Sequence, residues 1–164
     1  MWIEKITFLF YGDNFSPNKF LSEITEPVLI ELQNEATDAN DADPTGRYGF
    51  GGLHFQGPQK YGVPSINLSE YESWYVDFLD RHGELIRAHR IDDIRLFVDV
   101  YHDDGQLNTE VFSRDGIKTL SKFNAAIPLS YYRLDRVQMI EMLNESDLSP
   151  AQVEEYVALH PIGT

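Results

Sequence analysis

The chain of 164 residues has the length of one ordinary domain, and it contains no cysteine, which excludes a disulfide framework, a thiolate nucleophile and a cysteine metal site. Its formal charge of −14 disfavours direct binding to nucleic acid or to an anionic membrane, because phosphates repel an acidic surface. The first residues lack the basic head and apolar run of a secretory signal, and no stretch approaches the ~18 apolar residues of a membrane span. We therefore expect a soluble, cytoplasmic protein.

The first predicted element is a strand over residues 2–11. Apolar side chains occupy both of its faces, which is typical of a strand in the centre of a sheet. Ser16 and Pro17 predict the start of a short helix, since Pro17 gives up only an amide that has no partner in the first turn and the Ser16 side chain can accept from one that remains. Pro27 ends that helix, and residues 28–32 predict a brief strand.

The pattern is weaker between residues 33 and 67. An acidic stretch over residues 35–43 predicts a solvated loop. The oxygen donors of residues 41–46 resemble the start of a calcium loop, but Gly52 stands at the twelfth position, where a bidentate carboxylate would be needed, so we assign no metal site. Glycines interleave with aromatic residues over 46–55, which fits either glycine-closed strands or a long ordered loop.

The longest helix is predicted to begin at Ser69, where Glu72 completes a capping box. Large apolar side chains then recur at intervals of three and four residues, and they predict an aromatic face that packs on a sheet. The members of this face are Tyr71, Trp74, Tyr75, Phe78, Leu79, Leu85 and Ile86.

Residues 94–133 predict the unit around which the fold is organised: a strand, a tight turn, a strand, a helix and a last strand. Asp103 to Gly105 supply the turn, and residues 107–111 supply the return strand of a hairpin. The first strand points four apolar side chains to one buried face, and these are Ile94, Leu96, Val98 and Val100.

The rest of this unit is a capped helix and a strand. Ser113 is placed to cap a helix whose apolar stripe consists of Ile117, Leu120 and Phe123. The last strand is predicted from alternating apolar residues at Ile127, Leu129 and Tyr131.

Two further helices are predicted after residue 133. Val137, Ile140 and Leu143 indicate the first, and a second cap signature at Ser149 and Gln152 begins the other. The chain is predicted to be one domain, with an α+β core over residues 1–133 and a helical extension over 134–164. The order of elements favours helices on one face of a single, largely antiparallel sheet, for which a ferredoxin-like arrangement is one candidate.

The sequence contains no recognisable catalytic constellation. It has no G-x-S-x-G elbow, no Walker lysine and no paired histidines, so no catalytic, cofactor-binding or metal-ligating residue is assigned. The histidines are scattered at His54, His82, His89, His102 and His160.

Several short motifs resemble the bacterial family known as domain of unknown function 4279, over about residues 3–133. They are YGDNFSP at 11–17, VDVY at 98–101, GQLNTEV at 105–111 and IPLSYY at 127–132. The family has no established activity or catalytic residues to transfer. Some of its members resemble immunity proteins of bacterial toxin systems, so the resemblance implies a binding role.

The leading hypothesis from the sequence is a non-enzymatic interaction module, such as an immunity-type protein that binds a basic partner protein through an acidic surface. No cofactor is expected, and the oligomeric state is left open. Candidate partner-binding residues are Asp38, Asp41, Asp43, Glu154 and Glu155.

The alternative is a small-molecule binding protein or a hydrolase that uses the glycine-aromatic segment over residues 46–55. It predicts a pocket lined by Phe50, His54, Phe55 and Trp74. A filled core at these positions would argue against such a pocket.

Overall fold

The structure is a computed structural model that describes residues 1–103 and 111–161. Five strands and five helices lie within these residues. In chain order they are β1 (Trp2–Gly12), α1 (Pro17–Glu23), β2 (Leu29–Asn34), β3 (Gly51–Gln56), α2 (Leu68–Ala88), β4 (Asp93–His102), α3 (Arg114–Lys122), β5 (Leu129–Arg133), α4 (Arg136–Asn144) and α5 (Pro150–Leu159).

The strands form one sheet in the order β2-β3-β1-β4-β5. β1 pairs antiparallel with β3 and β4, β2 pairs antiparallel with β3, and β5 runs parallel to β4. The first six elements follow the β-α-β-β-α-β order of a ferredoxin-like fold, to which β5 is added at one edge. The predicted α+β architecture is therefore confirmed.

The main core lies between α1–α3 and one face of the sheet. The even-numbered residues Ile6, Phe8 and Phe10 of β1 are fully buried there, together with the aromatic side chains of α2. The apolar alternation predicted for β4 is confirmed, because its four even-numbered aliphatic residues, from Ile94 to Val100, belong to the same core.

A second apolar core lies on the other face, at one end of the sheet. α4 and α5 pack there around Met1 and Ile3, with Met139, Leu143 and Tyr156 among the buried residues. The predicted helical extension is confirmed, but its helices cover the face opposite α1–α3. The odd-numbered residues at the start of β1 are apolar, so this end of the second face can also be buried.

Tyrosine hydroxyl groups complete the hydrogen bonding of β1 where β3 no longer runs beside it. The hydroxyl of Tyr71 accepts from the Ile6 amide at 2.6 Å, and that of Tyr75 donates to the Ile6 carbonyl at 2.6 Å. Closer to the N-terminus, the hydroxyl of Tyr156 donates to the Trp2 carbonyl at 2.7 Å and accepts from its amide at 3.2 Å. These three side chains, together with the backbone of Gly62, which pairs with Glu4, thus replace a neighbouring strand.

The predicted hairpin after β4 falls mostly on residues 104–110, which lie outside the described residues. Val111, the last residue of the predicted return strand, is not in a strand. β4 pairs with β1 along one edge, and from Val98 onward with β5 along the other. The place beside this half of β4 is therefore taken by β5.

The capping box predicted at Ser69 is wrong. α2 begins at Leu68 after Asn67, and Asn67 makes no side-chain bond to the helix. Its side chain accepts instead from the Val63 amide at 2.7 Å, within a turn that leads directly into α2. Glu72 therefore does not fold back on a cap, and its carboxyl group interacts with Glu4 of β1.

The side-chain cap predicted at Ser16 is also wrong, because its hydroxyl makes no bond to α1 and donates instead to Glu35 Oε1 at 3.0 Å. The caps predicted at Ser113 and Ser149 are confirmed. Ser113 accepts from the Gly116 amide at 3.1 Å at the start of α3, and Ser149 forms a capping box with Gln152 at the start of α5. The apolar stripe of α3 is only partly buried, because Ile117 is 42% exposed. No helix in the part of the chain that the structure describes is both long and apolar enough to cross a bilayer.

Candidate functional site

The sheet face opposite α1–α3 is covered by helices only at one end. α4 and α5 pack on Met1 and Ile3, whereas Leu9 of β1 and Phe97 of β4 belong to neither apolar core and are half-buried. We call the uncovered part of this face, from residue 5 to residue 11 of β1 with the strands on either side, the open face.

Glu31 binds three side chains on the open face. It lies at a bulge of β2, and its Oε1 contacts Lys5 Nζ at 2.6 Å and accepts from Gln56 Nε2 at 2.5 Å. Its Oε2 accepts from the Thr7 hydroxyl at 3.5 Å. The positive charge of Lys5 is therefore already compensated within the protein.

Asp99 faces Lys5 across the ladder between β1 and β4. Its Oδ1 is buried and has no hydrogen-bond partner among the residues that the structure describes. Burial raises the pKa of the Asp99 carboxyl, and Glu31 raises it further, while Lys5 and the Tyr132 hydroxyl act in the opposite direction. A buried acceptor without a donor costs stability, so a cationic group that approaches the Asp99 carboxyl group would be stabilised there.

Two tyrosine rings border Asp99 where the open face meets the second core. Tyr101 and Tyr132 stack with their ring centroids 5.2 Å apart and their planes 20° apart, and Tyr132 is 45% exposed. Burial raises the pKa of Tyr101 to about 12, with Asp99 as the next contribution, so its hydroxyl keeps its proton at neutral pH. A carboxylate beside an exposed aromatic ring is a favourable place for an ammonium or guanidinium group.

A groove of about 500 Å³ lies at the opposite end of the open face. Tyr11 forms its centre, because its ring makes edge contacts with Phe50 at 5.9 Å and with His54 at 5.5 Å. The Tyr11 hydroxyl also shares a hydrogen bond with His54 Nε2, and burial lowers the pKa of that imidazole. The groove is lined by Tyr11, Gly12, Asp13, Phe50, Asp92, Asp93 and Arg95.

The groove is acidic although it contains an arginine. Arg95 Nε donates to both carboxylate oxygens of Asp93 at 3.0 Å, and its guanidinium lies 5.8 Å from the centre of the Tyr11 ring. Asp13 and Asp92 are exposed at the rim. Three carboxylates thus face one guanidinium group, which is itself held by one of them.

The structure places the four residues of the predicted pocket on both sides of the sheet. Phe50 and His54 meet at Tyr11 beside the groove. Phe55 is fully buried in the main core, and Trp74 is part of α2 and lines a separate cavity of about 90 Å³. These four side chains do not line one cavity.

The residues predicted to bind a partner lie at two separate places in the chain. Asp38 Oδ2 accepts from the Glu35 amide and Asp43 Oδ1 from the Thr45 amide, both at 2.7 Å, so these carboxylates stabilise the loop between β2 and β3. The loop contains Asp38, Asp41 and Asp43, and α5 contains the exposed pair Glu154 and Glu155.

The sequence interpretation missed Asp99, Tyr101, Tyr132 and Tyr11 as site residues. The signal was present on the odd-numbered positions of β4, where charged and aromatic residues alternate with the buried aliphatic ones. Residues of this kind on the second face of a strand indicate a face that is not packed in the core.

The carboxyl groups of Glu4 on β1 and Glu72 on α2 form a pair on the side of the sheet that α2 covers. Glu4 has no exposed surface, and burial together with the Glu72 carboxyl raises its pKa to about 8. Glu72 also accepts from the Phe112 amide at 3.3 Å and borders a cleft of about 330 Å³ between α2 and α3. Glu72 is the member of the pair that borders this cleft, and Glu4 does not line it.

Comparisons with protein-family models, with curated proteins and with solved structures found no match to this chain. The resemblance to the family of domain of unknown function 4279 therefore stays a prediction.

Proposed function

We propose that this protein is a non-enzymatic interaction module that binds a basic segment of a partner protein on its open face, as an immunity-type protein would. The observation that carries the proposal is Asp99, whose buried Oδ1 has no donor among the described residues. A lysine or arginine side chain of a partner would pair with the Asp99 carboxyl group and stack against the exposed ring of Tyr132.

The charge of the open face supports a cationic ligand. Lys5 is held by Glu31 and Arg95 by Asp93, so both cations of this face are already paired. Asp99 and the acidic groove around Tyr11 remain as attractive sites at its two ends. The formal charge of −14 would steer a basic partner towards the protein at low salt.

The test is the binding of a fluorescent peptide of alternating lysine and valine residues, measured by anisotropy at low and at high salt. Asp99→Asn keeps the shape of the side chain and removes its charge. It is expected to weaken binding by roughly tenfold, the value of one charge-assisted hydrogen bond.

The matched controls are Glu154→Gln and Glu155→Gln, which remove one exposed charge each from α5. They should weaken binding less than Asp99→Asn, since screening by solvent reduces the effect of a distant surface charge. Equal losses for all three variants would indicate non-specific attraction and contradict the proposal, as would a peptide that does not bind at low salt.

A small-molecule binding protein or a hydrolase remains the second candidate, and the groove around Tyr11 is the observation that favours it. Its volume of about 500 Å³ falls within the range of ligand pockets, and Tyr11 with Phe50 provides aromatic walls. A ligand in this groove would be sensitive to Phe50→Ala and insensitive to Asp99→Asn, which separates the two functions.

A further inference from the structure

We infer that the basic segment joins the sheet as an additional strand along the outer edge of β5. This inference rests on the proposed function, and it names the way in which the partner binds. The segment would be extended, and it would alternate basic residues with apolar ones.

β5 is an edge strand whose outer peptide groups have no partner among the described residues. Among the described residues it pairs only with β4. The backbone hydrogen bonds from the segment around β5 to β4 are made by even-numbered residues of that segment, among them Ala126, Pro128 and Leu134. Successive residues of a strand direct their peptide groups to opposite sides. The amides and carbonyls of Leu129, Tyr131 and Arg133 consequently point outward.

The other edge of the sheet is less suited to strand addition. β2 contains a register shift between Ile30 and Leu32. Bulges of this kind are features that protect an edge from pairing with another chain. β5 pairs without a register shift from Leu129 to Arg133, so its outer edge is regular.

The two faces of β5 specify what the added strand would carry. On the helix side, Leu129 is 47% exposed and Tyr131 is 53% exposed, so they offer contacts for apolar side chains. On the open face, Ser130 and Tyr132 lie beside Asp99 and Tyr101 of β4. Basic side chains of an added strand would project over this second row.

A second copy of the chain fits this edge less well than a basic segment does. Two chains that each carry a formal charge of −14 repel one another, whereas a segment with lysine or arginine at alternate positions neutralises the open face. Extended peptides that add to a sheet edge gain affinity from main-chain bonds and specificity from alternate side chains.

The test uses the lysine-valine peptide and two versions in which the backbone nitrogens of one residue type are methylated. Methylation removes amide donors along one edge of the peptide strand and leaves every side chain in place. One version should lose at least tenfold in affinity, and the other should stay within about threefold of the parent.

The methylated peptide that loses affinity also shows whether the added strand runs parallel or antiparallel to β5. In an antiparallel pair the residues that bond to Tyr131 share its face, so methylated valines would abolish binding. In a parallel pair the bonding residues lie on the opposite face, so methylated lysines would abolish it.

A variant of β5 tests the same contact from the side of the protein. Tyr131→Pro removes an outward amide that β4 does not use, and Tyr131→Ala keeps that amide while removing the same ring. The proline variant should bind the parent peptide several-fold more weakly than the alanine variant. Its folding is checked by comparing the thermal unfolding of the two variants.

The outcomes separate this inference from the proposed function. If the parent peptide binds and Asp99→Asn weakens it, while both methylated peptides keep or both lose binding, strand addition is overturned and the open face still binds. Equal affinities of the Tyr131→Pro and Tyr131→Ala variants would overturn it as well. Failure of the parent peptide to bind contradicts the proposed function itself.

Discussion

Glu4 is a buried acid on the central strand, and its ionisation links stability to pH. Its pKa rises from 4.5 to about 8 in the folded state, because burial and Glu72 disfavour the charge. Between these two values the unfolded chain releases a proton that the folded chain retains, so the free energy of unfolding falls as pH rises through this window. At lower pH Glu4 is protonated in both the folded and the unfolded chain, so its ionisation does not reduce the free energy of unfolding.

Glu4→Gln should remove that pH dependence. Urea unfolding gives the free energy of unfolding of the variant and of the wild type at each pH. From about pH 5 to about pH 8, the variant should gain stability relative to the wild type by on the order of 3 kcal/mol. The control is Glu70→Gln on the exposed side of α2, which should follow the wild type. A difference that does not change with pH would show that Glu4 ionises normally in the folded protein.

Asp99 shows how far a single residue could be interpreted from the sequence. The alternation over residues 94–100 identifies the buried side of β4, and the structure confirms it. The same alternation places Asp99 on the second face, but the sequence does not show whether that face is covered. The answer depends on where α4 and α5 pack, and this is set by apolar residues far away in the chain, such as Ile3 and Tyr156.

At the scale of elements, α5 is attached to β1 by a hydroxyl group as well as by apolar packing. Tyr156 is buried and satisfies both peptide groups of Trp2. Tyr156→Phe keeps the ring and leaves two backbone groups without this partner, so it should lower the free energy of unfolding by about 1 to 3 kcal/mol.

Denaturant unfolding of Tyr156→Phe checks this expectation, with Tyr131→Phe as the control. Tyr131 lies on β5 and is 53% exposed, so loss of its hydroxyl should leave stability unchanged within experimental error. Wild-type stability of the Tyr156 variant would mean that the hydroxyl adds nothing to the docking of α5.

The start of a helix could be predicted from the sequence where no other interaction competed with the capping side chain. Ser113 and Ser149 cap α3 and α5 as expected, because their side chains find an amide three residues ahead. The capping box at Ser69 does not form because the N-cap of α2 is Asn67, two residues earlier, in a turn that the Asn67 side chain holds. This turn depends on contacts with residues 59–63, so the spacing of Ser69 and Glu72 alone could not reveal it.

At the scale of the whole molecule, the fold was more predictable than the site. Periodicity identifies the strands and helices, and the α+β class follows from their order. The site depends on which side chains lie on which face of the sheet. Tyr11, Phe50 and His54 come together on the open face, whereas Phe55 and Trp74 pack in the main core on the other face. The glycine-aromatic segment contributes to both faces because β3 is a strand.

The charge of the whole chain is a poor guide to the location of a binding surface. Acids are spread over the loop after β2, over α2 and over α5, and many of the bases are held in ion pairs, as Lys60 is with Glu145. The open face is distinguished by a buried acceptor, Asp99 Oδ1, that lies beside the exposed aromatic ring of Tyr132.

The most direct measurement is a titration of isotope-labelled protein with the lysine-valine peptide, followed by amide chemical shifts. The largest changes are expected along the open face, in β4 around Asp99, in β5 around Tyr132 and in β1 near Lys5. Changes concentrated in the loop over residues 35–47 or on α5 would contradict binding at the open face.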